Sequence, residues 1–194
     1  MTATEKRDLT QLPGDLPRPV DDGAAAHLQG MTMPAVSLRA TSGDLVDLAA
    51  LPGWIVLAGY PRTGVPGKPP IDPHWDHIPG ARGCTPQMLG YKALAGAFRG
   101  RRCRIFGISS QVPDYQLEMS QRLDLGFPVL SDSEFKLADA MRLPTQMIGG
   151  QRLYKRISLV IHDGRIVHVQ YPVFPPDENA SATLHALDEA MARS

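Results

Sequence analysis

Two cysteines in 194 residues are too few for a disulfide-stapled scaffold, which carries more of them in a shorter chain. An excess of charge of either sign is missing as well. Twenty basic residues balance twenty acidic ones, so the chain lacks the basic surplus with which proteins hold nucleic acid or an anionic bilayer. No apolar run approaches the ~18 residues of a membrane span. The opening stretch, MTATEKRDLTQLPGDLPRPVDDG, has no apolar core of the kind a secretory signal carries. These absences predict a cytoplasmic protein that uses neither nucleic acid nor membrane. They also make each cysteine either a small buried hydrophobe or a chemical group.

What is present suits one domain with a core of ordinary size. Residues 1–33 are polar and rich in Pro and Gly and are expected to form an extended arm; residues 34–194 form the domain. In the domain, MPAVSLRAT alternates like a half-buried strand, SGDLVDLAAL reads as a turn and a short second element, and the apolar run from Trp54 to Tyr60 reads as a central strand covered on both faces. The segment from Pro61 to Gly83 is too crowded with proline and glycine for regular structure. From Cys84 a helix is predicted, with Pro86 in its first turn and Met88, Tyr91, Leu94, Ala95 and Phe98 at helical spacing. RCRIFGISS reads as a strand, VPDYQLEMSQRLDLG as a helix and FPVLSD as a short strand. SEFKLADAMRL reads as a helix capped by Ser131 or Ser133 and stopped by Pro144. RLYKRISLVIHDGRIVHVQYPV reads as a hairpin turning at Asp163-Gly164, and DENASATLHALDEAMARS as a closing helix. The predicted fold class is α/β: a mixed central sheet with helices on both faces, in a thioredoxin-like order.

Cys84 stands at a loop-to-helix junction after the central strand. Sites in open α/β sheets form at the carboxyl ends of strands, and a helix N-terminus favours a thiolate over a thiol. A helix end supplies at most ~2 kcal/mol, which is not enough for full ionisation at neutral pH, so a cation is required as well. Arg156, opening the strand expected beside that of Cys84, is the first candidate, and Arg82 is the local alternative. Lys155 faces the other way. Cys103 begins a strand beyond the far end of the predicted helix, roughly 24 Å away. A disulfide needs Cα atoms within about 7 Å, so Cys103 is expected to be structural.

Tyr60-Pro61 through Gly83-Cys84-Thr85-Pro86-Gln87 resembles the active-site region of peroxiredoxins, in particular the bacterioferritin-comigratory or Q-type branch. LGFPVLSDSEFKLADAMRL and KRISLVIHDGRIVHVQYPV resemble two later segments of the same family, in the same order, over about Pro34 to Leu187. The resemblance implies an antioxidant thiol peroxidase acting on hydrogen peroxide or organic hydroperoxides. Cys84 would be the peroxidatic cysteine and Arg156 the catalytic arginine. Gln87 would support the hydrogen-bond network, and Pro61 would shield the thiolate. No cofactor or metal is implied. Two departures stand out. The family threonine, three residues before the cysteine, is replaced by Ala81, or by Val65 if the family loop continues through PRTGVPG, with Thr63 and Thr85 as substitutes. The resolving cysteine of the branch is replaced by Leu89. The chain is therefore expected to act as a one-Cys enzyme, monomer or homodimer, recycled by an external thiol such as thioredoxin, glutaredoxin or a small thiol.

An insert over about 66–83 contains His74-Trp75-Asp76-His77. The spacing matches no standard zinc site, and the insert is expected to be a lid, with Trp75 over the entrance and Asp76 as anchor. His162 and His168 are expected at exposed strand positions. A non-catalytic binding module of the same fold is the second reading, favoured by the missing threonine. A thiol–disulfide oxidoreductase is disfavoured because Gln87 occupies the second position of its C-x-x-C pair.

Overall fold

The apolar run at Trp54–Gly59 forms the strand around which the rest is built. Its alternate side chains feed two different cores, Ile55 and Leu57 on one face of the sheet, Val56 and Ala58 on the other. A strand clothed on both sides has no polar face, and this is why the sequence there is continuously hydrophobic. The computed structural model describes residues 8–193. The first seven residues of the expected arm, and Ser194, lie outside the described residues.

Nine strands are described: β1 (Ser37–Ala40), β2 (Leu45–Asp47), β3 (Trp54–Gly59), β4 (Cys103–Ser109), β5 (Val129–Ser131), β6 (Thr145–Ile148), β7 (Gln151–Tyr154), β8 (Ile157–His162) and β9 (Arg165–Gln170). The helices are α1 (Cys84–Gly100), α2 (Pro113–Leu123), α3 (Lys136–Met141) and α4 (Asn179–Ala192). Seven strands form one mixed sheet in the order β2-β1-β5-β4-β3-β8-β9. β4 runs parallel to β3 and β5, while β8 is antiparallel to β3. α1, α2 and α4 cover one face; α3 and the segment around Leu28 cover the other. The architecture is the thioredoxin-like α/β fold expected.

Several local expectations need correction. β6 and β7 form a separate two-stranded sheet that turns at Gly149-Gly150, and the long strand expected from Arg152 is broken before Ile157. Residues 8–33 do not extend away from the domain. Ala25, Leu28 and Met33 are buried in a core, and Thr32 bridges Arg165. Polar bonds hold it as well, from Lys155 and Tyr171 to the Asp22 carboxylate and from Gln29 to the Val167 carbonyl. His162 is half-buried and stacks on Trp54 with ring centroids 4.0 Å apart, and His168 is half-buried too.

Neither Ser131 nor Ser133 caps α3. Asp132 does, accepting from the amides of Leu137 at 3.1 Å and Ala138 at 2.9 Å, and from the Tyr154 hydroxyl at 2.5 Å. Burial first, and then the Asp132 charge, push the Tyr154 phenol well above its ordinary range. Asp132→Ala removes the cap and strands a buried hydroxyl. The expected loss is about 2–4 kcal/mol of stability, checked by urea unfolding of the variant against the parent chain.

Candidate active site

β3 ends at Gly59, where it pairs with Ile108 of β4 on one side and Ile157 of β8 on the other. Everything that enters or leaves this end of the sheet is therefore brought together. The chain leaves β3 through Tyr60 and Pro61, both buried, and returns as α1, whose first residue is Cys84. Arg156 is the residue just before β8, at the same end.

Gly83 precedes the helix with φ +105°. A Cβ there would come within 2.3 Å of Pro176 in the linker between β9 and α4. Only glycine satisfies both the left-handed backbone and this close approach. Cys84 is 4% exposed, and its Sγ lies 3.6 Å from the Ala81 carbonyl. First-turn N–H groups of a helix lack intrahelical partners, so the thiol stands at a locally positive end.

The Arg156 guanidinium is 3% exposed, and its Nη2 lies 3.3 Å from Sγ of Cys84. The same nitrogen reaches the carbonyls of Gly80 and Ala81 at 3.2 Å and of Arg82 at 3.0 Å. Its two hydrogens are shared among these acceptors, so Arg156 clamps the loop before the cysteine as well as facing the sulfur. Nη1 donates to Oε1 of Gln87. Arg82, the alternative cation, is turned elsewhere. It donates to the main-chain carbonyls of Asp8 and Gln11 and lies 3.8 Å from the Asp76 carboxylate.

Gln87 is wholly buried and donates from Nε2 to Oδ1 of Asn179 at 2.8 Å. Asn179 also accepts from Ser158 at 2.9 Å and donates to Gln170 at 2.8 Å. Sequence reasoning missed Asn179. It opens α4, where an asparagine reads as a cap, yet its side chain turns inward, and only the packing of α4 on α1 and β8 reveals that. Tyr91 continues the network to Ser158 and Thr183, and burial pushes its phenol up to about 12. Burial also pushes the Tyr60 phenol up, with the neighbouring Cys84 charge acting in the same direction.

A cavity of about 210 Å³ opens beside Cys84. Thr63, Thr85, Val65 and Tyr115 line it, with Trp75 of the insert and Leu9 of the N-terminal segment. Thr63 hydrogen-bonds to Gln111 through its amide at 3.1 Å and its hydroxyl at 3.3 Å. Trp75 is buried against Ile148 and Leu153 of the β6–β7 hairpin. Gly149 at the tip of that hairpin packs on the Ile71 main chain. The hairpin missed in the sequence is thus the platform for the insert, and Gly149-Gly150 was its turn signal. Of the insert's histidines, His74 is exposed and pairs with Asp72 at 3.5 Å. No group of three or more potential metal-binding side chains occurs among the described residues.

Cys103 starts β4, paired with Trp54 at the opposite end of the sheet. It is 5% exposed, and burial pushes its thiol up to about 12. Both cysteines are free.

The redoxin family model matches residues 28–186. The chain is 28% identical over 149 residues to the Mycobacterium tuberculosis protein named "Putative peroxiredoxin Rv2521", covering 74% of this chain and 85% of that one. Among solved structures it superposes on peroxidoxin BcpB of Mycobacterium tuberculosis with a TM-score of 0.66 at 23% identity, covering 83% of this chain and 96% of the other. Peroxiredoxin Q of Xanthomonas campestris gives a TM-score of 0.65 at 23% identity, covering 82% and 96%. A buried cysteine at a helix start, an arginine facing it and a match over most of the chain agree: the chain belongs to the redoxin family, as a peroxiredoxin, a thiol-dependent peroxidase of thioredoxin-like fold.

Proposed function

We propose that Cys84 is the peroxidatic residue and that the enzyme works with this one cysteine. The observation that carries the reading is the Arg156 Nη2 hydrogen-bonded to Sγ at 3.3 Å, at the first position of α1 and at the edge of a cavity. The Cys84 thiol releases its proton, and the thiolate attacks the distal oxygen of the hydroperoxide. An S–O bond forms, the O–O bond breaks, and the departing alkoxide or hydroxide takes a proton. The products are a sulfenic acid and an alcohol or water. Arg156 supports the thiolate and then the charge building on the oxygens. Gln87, held by Asn179, keeps Arg156 aimed. Thr63 and Thr85, the two threonines of the cavity lining, take the place of the family threonine, whose position falls on Ala81 or Val65 here, and Pro61 shields the thiolate.

Regeneration needs two equivalents of an external thiol, which become a disulfide as the sulfenic acid returns to thiol and water. Thioredoxin, glutaredoxin or a small thiol can supply them. Two unpaired thiols suit a reducing compartment, which supports a cytoplasmic location. One equivalent of hydrogen peroxide is expected to yield a sulfenic acid on Cys84, trapped by dimedone and located by peptide mass. No trapped adduct would end the reading.

Cys103 takes no part in this scheme. α1 separates the two cysteines by roughly 25 Å. Cys103→Ala is expected to keep its peroxidase rate within about twofold, and oxidised parent protein to show no Cys84–Cys103 disulfide by mass. Native Cys103 should resist alkylation at pH 8, where its raised ionisation keeps it a neutral thiol.

A further inference from the structure

Arg156 is not a wall of the cavity that opens beside Cys84. It lines a different cavity, of about 180 Å³, which shares no lining residue with the first. Segments far apart in sequence meet there: the N-terminal segment at Val20, the insert at Gly80, β6 at Gln146, the approach to β8 at Lys155 and the exit from β9 at Tyr171. The arginine that faces the sulfur is thus reached by a route that does not pass the sulfur.

The wall of this second cavity carries donors and no carboxylate. Arg156 is 3% exposed, and its Nε has no hydrogen-bond partner among the described residues. The other two guanidinium nitrogens are engaged with Gln87, three loop carbonyls and Sγ of Cys84. A buried donor left open is rare, because it has given up water and gained nothing in return. The Lys155 ammonium has three hydrogens and directs one at the Asp22 carboxylate, 2.6 Å away and outside the wall. The Tyr171 hydroxyl donates to the same carboxylate at 2.7 Å. The Gln146 carboxamide makes no hydrogen bond among the described residues.

The rest of the wall is apolar: three prolines, two valines and the Tyr171 ring. A dry cavity of about 150 Å³ takes up benzene. A space of about 180 Å³ therefore holds one ring-sized body with a small polar group. Open donors with no acid beside them call for an acceptor. A carboxylate serves an arginine and a lysine at once and makes stronger bonds with them than a neutral oxygen does.

We propose that this cavity is an effector site for a ring-sized organic carboxylate, which slows the peroxidase through Arg156. The carboxylate takes the Nε hydrogen of Arg156 and a free hydrogen of Lys155, and Gln146 donates to it from β6. The apolar body lies among the prolines and valines. A negative charge laid on Arg156 from this cavity offsets part of the positive charge that supports the Cys84 thiolate and the departing oxygen. Binding is non-covalent, and the two cavities are distinct, so the ligand does not compete with peroxide. The kinetic half of this inference rests on the peroxidase reading of Cys84; the binding half does not.

The test uses the full chain and three probes: cyclohexanecarboxylate, cyclohexanecarboxamide and acetate. Calorimetric titration should show the ring carboxylate binding at least about tenfold more tightly than the uncharged amide or the small acetate. At saturation it should lower the stopped-flow rate with hydrogen peroxide about fivefold or more, the low end of coupling between two sites. Gln146→Trp fills the cavity from a half-exposed strand position, and Val20→Trp fills it from an exposed rim. Both should keep the parent's rate without ligand and lose about tenfold or more in affinity for the ring carboxylate. Absence of binding, equal affinity for the carboxamide, or binding that survives both tryptophan variants overturns the inference and leaves the peroxidase intact. So does binding that leaves the rate unchanged, or inhibition relieved by more peroxide, which would put the ligand in the Cys84 cavity. A parent chain that reduces no peroxide even without ligand instead brings down the reading of Cys84, while the titration still decides the site.

Discussion

Cys84→Ser is expected to lose peroxidase activity by a factor on the order of 10⁴ or more, with the fold and melting temperature close to the parent. The hydroxyl of serine is nearly the same size as the thiol and fits the same buried place at the start of α1. What it cannot do is ionise. A helix end contributes at most about 2 kcal/mol toward an anion, and one arginine hydrogen bond adds only a few more. An alcohol starts so much further from ionisation than a thiol that this support does not make it an anion at neutral pH. Stopped-flow peroxide consumption with an external thiol checks the result. Activity retained within tenfold would place the nucleophile elsewhere.

Arg156→Met is expected to lower the second-order rate with peroxide by about 10²–10³, the cost of one preorganised donor facing developing charge. Two separate effects add here. The positive charge 3.3 Å from Sγ disappears. The carbonyls of Gly80, Ala81 and Arg82 also lose the group that gathers them. The second effect is a stability effect, about 1–3 kcal/mol for each buried acceptor left unpaired, and it shows as a lower melting temperature. Arg156→Lys separates the two. Lysine returns a charge but not the planar fork that reaches Gln87 with one nitrogen and the loop with another. It should recover part of the rate and little of the stability. Alkylation of Cys84 offers a readout independent of turnover and should slow in both variants, more in the methionine one.

Much of the frame that holds Cys84 was legible because it rests on short-range signals. The continuous apolar run of β3 announces burial on both faces. Pro86 marks the first turn of α1. Asp163-Gly164 marks the β8–β9 turn, where both residues adopt positive φ. Arg156 could be placed from the strand it precedes, and the structure separates it from Arg82 by a feature no local pattern encodes, the main-chain carbonyls of a segment some 70 residues away. Three other features were illegible for the same reason. The inward turn of Asn179 depends on how α4 packs. Asp132 wins the cap of α3 over its serine neighbours because Phe135 takes a left-handed backbone at φ +58°, which shifts the helix start. The seat of residues 8–33 depends on contacts with segments far away in sequence, such as Arg165, Val167 and Met141. The β6–β7 hairpin was readable in principle, since Gly149-Gly150 separates two short alternating runs.

The bonds that seat the start of the N-terminal segment beside Cys84 are made to its main chain, whereas further along Asp22, His27 and Gln29 bond through their side chains. Arg82 reads the carbonyls of Asp8 and Gln11, which every amino acid carries. Substitutions at those two positions therefore leave the attachment in place, while a change at Leu9 between them alters the cavity wall. Under drift, positions 8 and 11 can change their letters while Arg82 stays fixed, and the attachment survives. The wall of the cavity at Leu9 can therefore be reshaped without a single change in the frame around Cys84.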